Sequence, residues 1–447
     1  SAINAMLYLR GQAADYDGWR QLGLEGWGWD DVLPLFKAQE DHYAGPSAMH
    51  GAGGQWRVEE PRSRWEILDA VLEAAAEIGI PKVSDFNTGD NFGASYFQVN
   101  QKTGRRWSAA RGFLKPVLGR PNLTLVTGAQ VERILFEGKR AVGVRYMRDG
   151  QSVEAKARGE VVLASGAIGS PHILELSGVG RGDVLSAQGV PVLHEMAGVG
   201  ENLQDHLQLR PIFKVSNTRT LNVDYQSLWK RARMALDYAL FRRGPLAMAP
   251  SQLGIFARSS ADYATPNVEF HLQPLSLDKF GDAMHPFGAI TVSVCNLRPA
   301  SRGSVHIESG DFRSAPAIRP NYLSEDEDRR VAVDSIRLAR KLCAAPALKR
   351  FNPEEFRPGA QLTTDEELVK AAGDLGTTIF HPVGTARMGA DNDPGAVLDA
   401  RLRVRGLEGL RVADASAMPR ITSGNTNSPT MMIAEKAARM MLEDARG

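Results

Sequence analysis

EVVLASGAIGSPHILELSGVG, residues 160–180, passes from an apolar run through a small-residue turn into a helix-forming segment. The run ending at Ser165 suits a buried strand, Gly166 a turn, Pro171 a first helical turn, and Ile173, Leu174 and Leu176 the apolar start of a helix. Strand, glycine turn and helix make the unit that cradles a nucleotide, because the first N–H groups of the helix have no partner of their own. The stretch therefore predicts an α/β nucleotide-binding region. No complete G-x-G-x-x-G occurs in the chain: Gly178-Val179-Gly180 and Gly198-Val199-Gly200 lack the third glycine and follow helix or loop.

Working outward, residues 123–164 read as short strands parted by turns at Gly138 and Asp149-Gly150. On the other side, VEFHLQPL, AITVSVCNL and GSVHIES lie between residues 267 and 307, separated by Gly/Pro turns and a loop from Phe280 to Pro286, and predict an antiparallel sheet. Residues 325–350 and 428–446 predict helices. Residues 46–64, rich in Gly, Pro and Ser, predict a long surface loop of the kind that serves as a lid.

The chain has 447 residues, more than one core usually accommodates, so two or three packed domains are expected. Lys and Arg number 53 against 52 Asp and Glu, with no charged block, which argues against a nucleic-acid partner. Cys295 and Cys343 sit in apolar surroundings and read as buried thiols, consistent with a reducing cytoplasm. Nine histidines include no His-Glu-x-x-His and no His-x-His pair, so no metal is expected, and the absence of a Gly-x-Ser-x-Gly elbow argues against a serine hydrolase.

His381, in GTTIFHPVGTARMG, lies between an apolar run and a Pro/Gly-rich loop, where a catalytic base could be aimed. A ring that merely hydrogen-bonds a backbone carbonyl is the alternative. Residues 409–440, GLRVADASAMPRITSGNTNSPTMMIAEKAARM, read as a strand, an acidic turn at Asp414 and a polar loop feeding a helix N-terminus that favours ligand oxygens. An ordinary N-cap by Ser428 or Asn427 would explain one of those polar residues and not the run.

Several blocks in one order resemble the glucose-methanol-choline (GMC) flavin oxidoreductases over essentially the whole chain. Ile3, Asn4, Tyr8, Gly11 and Asp17 fall as in the second half of that family's first signature, and GAIGSPHILELSGVG matches its second. VGENLQDH, HPVGTARMG and ADAS…SGNTNSPT follow in sequence. The resemblance implies a mixed α/β and α+β fold: a Rossmann-like FAD-binding region whose G-x-G-x-x-G start would precede Ser1, and a substrate domain built on an antiparallel sheet with helices. It implies an FAD-binding region over 1–210, a mainly substrate-binding region over 211–380, and a catalytic loop with return to the FAD-binding region over 381–447, the C-terminal homology covering about 298–436. On this reading the chain is a C-terminal fragment of the family pattern, expected to be colourless, inactive and prone to aggregate when expressed alone.

The same resemblance assigns roles. His381 would take the substrate's hydroxyl proton, and Asn425 would hydrogen-bond its oxygen during hydride transfer to flavin N5. Asn4, Ala5, Met6 and Leu7 would line the isoalloxazine and pyrophosphate side, and Val131 would meet adenine through its backbone. Asp414 and Ala415 would contact the diphosphate or ribityl region, and Thr426 and Asn427 the pyrimidine end. Ile3 stands where some members carry a histidine bonded to flavin, so non-covalent FAD is expected, and Ala386 stands where many have cysteine. The implied activity is FAD-dependent oxidation of a primary alcohol, aliphatic or choline-like, to an aldehyde. An oxygen-using oxidase, a hydroxynitrile lyase, a photodecarboxylase and a non-catalytic fragment are the alternatives.

The electron acceptor, a quinone or oxygen, stays open. Residues 227–244 predict a cationic amphipathic helix, with Leu228, Ala232, Ala235, Leu236, Ala239 and Leu240 on one side. Such a helix suits either packing on the protein or peripheral contact with the inner face of a membrane.

Overall fold

The computed structural model describes residues 2–279 and 281–446. Ser1 and Phe280, at the start of the first signature and of an expected loop, lie outside the described residues, as does Gly447. Near the start, helices α1 (Ala13–Gln21) and α2 (Trp29–Gln39) meet through Tyr16, Trp19, Trp29 and Phe36. Helix α3 (Glu66–Glu77) and strand β1 (Gly93–Tyr96) follow. Strands β2 (Gln130–Glu137), β3 (Arg140–Arg148) and β4 (Gln151–Lys156) then form an antiparallel meander. Strand β5 (Val161–Leu163) runs through Gly166 into α4 (Gly166–Leu176), the unit expected of the opening stretch. Gly166 has φ +79°, and no atom stands within 4 Å of where a Cβ would be, so this turn needs glycine for its backbone and faces open space.

Strands β6 (Leu207–Leu209), β7 (Ile212–Lys214), β8 (Leu253–Ala257), β9 (Val268–Gln273), β10 (Ala289–Asn296), β11 (Glu354–Arg357) and β12 (Thr377–Thr378) join β1 in one eight-stranded sheet. The order is β11-β7-β10-β9-β8-β1, with β6 linking β10 to β12, and every pairing is antiparallel. Phe270, Leu272, Val292 and Val294 pack with α3, α6 (Asp326–Cys343) and α7 (Asp365–Leu375) into one core. Alternation then turns Glu269, His271 and Gln273 to the opposite face. Helix α5 (Leu228–Phe241) lies between β7 and β8 in sequence and buries none of its residues. Strand β13 (Leu410–Val412) pairs in parallel with β5, and the chain closes with α8 (Asn427–Asp444). A second core gathers Trp19, Leu174, Val412, Met432 and Ile433 around that parallel pair.

Four expectations change. Residues 123–128 find no pairing partner among the described residues and stay irregular, leaving Leu125 51% exposed despite strand-like composition. The third β-like segment, Ser304–His306, pairs with Ala317–Arg319 outside the large sheet, because its partner is supplied by the chain just downstream. The helix expected to reach 350 stops at Cys343, and Pro346 starts a 3-10 turn instead. Residues 46–64 are pinned in place: Trp56–Val58 pairs with Glu40–His42, and Gly51 N–H donates to Glu40 Oε2 at 2.7 Å. That carboxylate also takes Arg10 and the His50 ring, which is protonated up to about pH 9 by its contacts with Asp85 and Glu40 against the opposing cost of burial. Swinging this segment as a lid would have to break that buried charge network, and none of its residues lines the large cavity.

Candidate functional site

The free face of the large sheet, the start of α4 and the start of α8 enclose a cavity of about 990 Å³. Asn4, Ala5, Met6, Leu7, Asp414, Ala415, Thr426 and Asn427 all line it, together with His381 and Asn425. Residues from opposite ends of the chain thus converge on one space. Val131 does not line it: it sits on β2 opposite Tyr146, partly buried against the core around the parallel pair.

Local structure explains how each is held. Met6 has φ +64°, a conformation that costs a non-glycine residue about 1 kcal/mol or more. Asn4 Oδ1 accepts Met6 N–H at 2.9 Å and Arg106 Nη1 at 2.8 Å, and Asn100 N–H donates to Met6 O at 2.7 Å, so the strained turn is tied on both sides. Asp414 joins β13 to α4. Its carboxylate accepts Gly166 N–H at 2.9 Å and Ser170 Oγ–H at 2.6 Å with one oxygen and Ser416 N–H at 2.8 Å with the other. Its side chain is consumed in shaping the turn, and what it offers a ligand is the position of the α4 N-terminus.

At α8, Thr426 occupies the N-cap position without a side-chain cap. Asn425 Oδ1, Asn427 Nδ2 and Ser428 Oγ are buried with no protein partner. Unpaired buried polar atoms cost about 1–3 kcal/mol each, so this end of the cavity is built for a ligand that carries both donors and acceptors.

The ionisable centre is a chain of two histidines and an asparagine. His206 Nε2 lies 3.1 Å from Leu297 O, its Nδ1 lies 3.0 Å from His381 Nδ1, and His381 Nε2 lies 3.0 Å from Asn425 Nδ2. A carbonyl only accepts, so His206 Nε2 carries the proton and its Nδ1 a lone pair. That lone pair can only accept from His381 Nδ1–H. His381 Nε2 is therefore the unprotonated nitrogen, held by a donated Asn425 N–H at the cavity wall. Burial holds His381 well below the ordinary histidine range, with His206 and His271 nearby acting in the same sense. Burial likewise pushes His206 down to about 4. Backbone placement comes from Asp205, whose Oδ1 accepts His381 N–H and His206 N–H at 2.9 Å each, while Oδ2 takes Thr378 and Tyr322 hydroxyls.

Sequence reasoning found His381 and Asn425 and missed Asp205 and His206 as partners. Both lie in the VGENLQDH block, whose buried Asp-His pair was the available signal, but 175 residues separate His206 from His381.

His206 also makes stability depend on pH. Its folded pKa is depressed, so the unfolded chain binds the proton first, and stability is full above about pH 6.5 and falls as pH drops towards 4. The loss from this group is about 3 kcal/mol across that window. Denaturant unfolding of His206→Asn, run beside the parent between pH 7 and 4, should show a correspondingly shallower decline. Equal slopes would mean that His206 is not held neutral by burial.

Residues 1–208 match the family model described as GMC oxidoreductase at its N-terminal part, and residues 299–434 match the C-terminal part. Among curated relatives, the chain is 38% identical over 445 residues to an alcohol dehydrogenase (acceptor) of Pseudomonas putida, covering 99% of this chain and 80% of that one. It is 42% identical over 447 residues to an oxygen-dependent choline dehydrogenase of Paraburkholderia phytofirmans, covering 98% of this chain and 78% of that one. Among solved structures, pyridoxine 4-oxidase from Mesorbium loti superposes with a TM-score of 0.88 at 31% identity, covering 99% of this chain and 82% of that one.

Proposed function

Because this chain belongs to the GMC oxidoreductase family, whose members use FAD, we propose that it oxidises a primary alcohol, aliphatic or choline-like, to the aldehyde, with His381 as base and Asn425 as its partner. The observation that carries the reading is the unprotonated His381 Nε2 beside Asn425 Nδ2 at the cavity wall, 3.0 Å apart. An alcohol oxygen entering between them replaces the Asn425–His381 hydrogen bond with two: its O–H donates to Nε2 and its lone pair accepts from Nδ2. As the C–H bond breaks, charge grows on that oxygen, the Asn425 N–H strengthens, and His381 holds the proton. FAD, when bound, supplies the acceptor for the hydride.

The residues present fit that cofactor. The partnerless Asn427 Nδ2 and Ser428 Oγ and the uncapped start of α8 suit the carbonyl and ring-nitrogen acceptors of a flavin, with Thr426 beside them. The tied turn Asn4–Ala5–Met6–Leu7 would back the ring, and the α4 N-terminus with Ala415 would face the phosphate side. Val131 would meet adenine through its backbone from outside this cavity. Ile3 cannot form a bond to the ring, so FAD is held non-covalently.

Asn425→Ala should lower the rate of flavin reduction about 10-fold or more with a smaller change in KM, since its hydrogen bond tightens as the alkoxide forms. A change in KM alone would reduce Asn425 to a binding group. The overall reading is tested, on a chain that carries the family's G-x-G-x-x-G segment ahead of residue 1, by an alcohol panel assayed with an artificial acceptor and, in parallel, by oxygen consumption. Acceptor-linked oxidation of primary alcohols supports it. Dominant oxygen reduction would make the enzyme an oxidase, and no flavin reduction by any alcohol would remove the reading.

No helix among the described residues is long and apolar enough to cross a membrane. Helix α5 nevertheless leaves Leu228 76% and Trp229 88% exposed, flanked by Lys230, Arg231, Arg233, Arg242 and Arg243. Exposed Leu and Trp beside basic side chains suit an anionic bilayer surface, where a quinone acceptor dissolves, and would place a cytoplasmic enzyme at the inner face. Flotation with anionic vesicles at low salt should recover the protein, and Trp229→Ala with Leu228→Ala should abolish recovery. Equal recovery with neutral vesicles would remove the charge argument.

A further inference from the structure

Beside the alcohol site, strand β9 turns Glu269 and His271 to the cavity face of the sheet, and β10 sets Cys295 directly opposite Glu269. All three side chains are buried. One donor atom from each, a carboxylate oxygen, an imidazole nitrogen and the sulfur, lies within 4.8 Å of the others. Neither oxygen of Glu269 has a hydrogen-bond partner, and neither does His271 Nε2, although it stands 3.2 Å from Glu269 Oε1. Among the described residues, no Lys or Arg comes within ion-pair distance of this carboxylate. A buried carboxylate whose oxygens accept no hydrogen bond, and whose one possible charged neighbour among the described residues is His271, is a costly arrangement that a bound cation would relieve.

The donor set favours a metal cation over a proton. Carboxylate, neutral imidazole and thiolate together carry two negative charges, which a divalent ion cancels in a place where net charge is expensive. A mixed oxygen, nitrogen and sulfur set suits zinc, whereas magnesium and calcium take oxygen ligands. Zinc bonds of about 2.0–2.3 Å leave tetrahedral ligands roughly 3.3–3.8 Å apart, so the three donors need to close by about 1 Å, within reach of side-chain rotation. The sheet register already fixes the three Cβ atoms on one face. His271 lines the large cavity and gives the ion a way in.

We propose that Glu269, His271 and Cys295 bind one zinc ion on the sheet face beside the alcohol site, with the fourth position taken by water. Cys295 loses its thiol proton to solvent as the zinc–sulfur bond forms, and no atom changes oxidation state. Without an ion, burial keeps that thiol protonated. The ion would tie β9 to β10 and hold the His271 ring in the cavity wall. Neither a His-Glu-x-x-His nor a His-x-His spacing marks such a site, since its ligands come from two strands brought together by pairing.

The test uses the purified whole chain incubated with zinc, desalted and analysed for metal by mass spectrometry. About one equivalent should remain, as for a buried site with three protein ligands. Cobalt in place of zinc should give tetrahedral d–d bands to the red of flavin absorption, and Cys295→Ser should weaken or move them. Glu269→Gln should lower zinc retention at least 10-fold. Less than about a tenth of an equivalent on the parent protein overturns the proposal whatever the variants do. So does zinc retained equally by the parent, Cys295→Ser and Glu269→Gln, which would put the ion elsewhere.

Discussion

His381→Ala, in a chain that carries the family's G-x-G-x-x-G segment ahead of residue 1, is expected to lower turnover by about 10² to 10⁴ while FAD stays bound. The range is what a positioned base contributes to proton transfer. His381 suits the role because its Nε2 lone pair is fixed by its neighbours and because burial keeps the ring neutral at and below ordinary physiological pH. FAD retention should survive, because the turn at Asn4 to Leu7 and the starts of α4 and α8 are held by contacts that do not pass through the His381 ring. Stopped-flow flavin reduction by a good alcohol substrate measures the step directly, and flavin absorbance after gel filtration measures retention. A loss below tenfold would assign the proton to another group. In the parent, rates should stay level from about pH 6.5 upward, since the neutral base is already fully present there.

His206→Leu is expected to cost about 10²-fold or more in the same step without touching substrate. The lone pair on His206 Nδ1 is what forces the His381 proton onto its own Nδ1. Leucine fills similar space but offers no acceptor, so His381 Nδ1–H would be buried unpaired. The ring would then favour the other tautomer, which presents an N–H where the alcohol needs a lone pair. In a histidine base oriented by a carboxylate, forcing the wrong tautomer costs about 10⁴. His206→Asn keeps an acceptor near the Nδ1 position and should stay within about tenfold of the parent. A structural role alone would damage both variants alike. Equal losses in His206→Leu and His206→Asn would therefore defeat the tautomer argument, while a kcat loss confined to the leucine variant would support it.

Several parts of this enzyme are legible one segment at a time. The small-residue turn at Gly166 needs a left-handed backbone, and the helix that follows needs an apolar start, so residues 160–180 declare a strand, turn and helix without help from the rest of the chain. The alternation in VEFHLQ likewise assigns a strand, because one period of two fits a face packed on helices and a face turned away from them. His381 stands out by lying on a short rigid loop, and Asn425 by lying just ahead of a helix start. Those properties are local, and local backbone and side-chain preferences act within a few residues.

Other features depend on what the chain meets after folding. Residues 123–128 have the composition of a strand and no partner to pair with, whereas β9 and β10 find each other across a loop, since a ladder needs two backbones. Val131 and Met6 are both candidates for the cofactor on the family resemblance, and only packing sets Met6 at the cavity wall and Val131 in a meander outside it. The proton position on His381 depends on His206, Asn425 and the carbonyl of Leu297, none of them its neighbour in sequence. By itself, then, the sequence determined the local elements, the family motifs and the reactive side chains. The tertiary structure decided which strands pair, which residues share the cavity and which nitrogen of His381 is unprotonated, because pairing, burial and a hydrogen-bond chain are properties of groups brought together from distant positions.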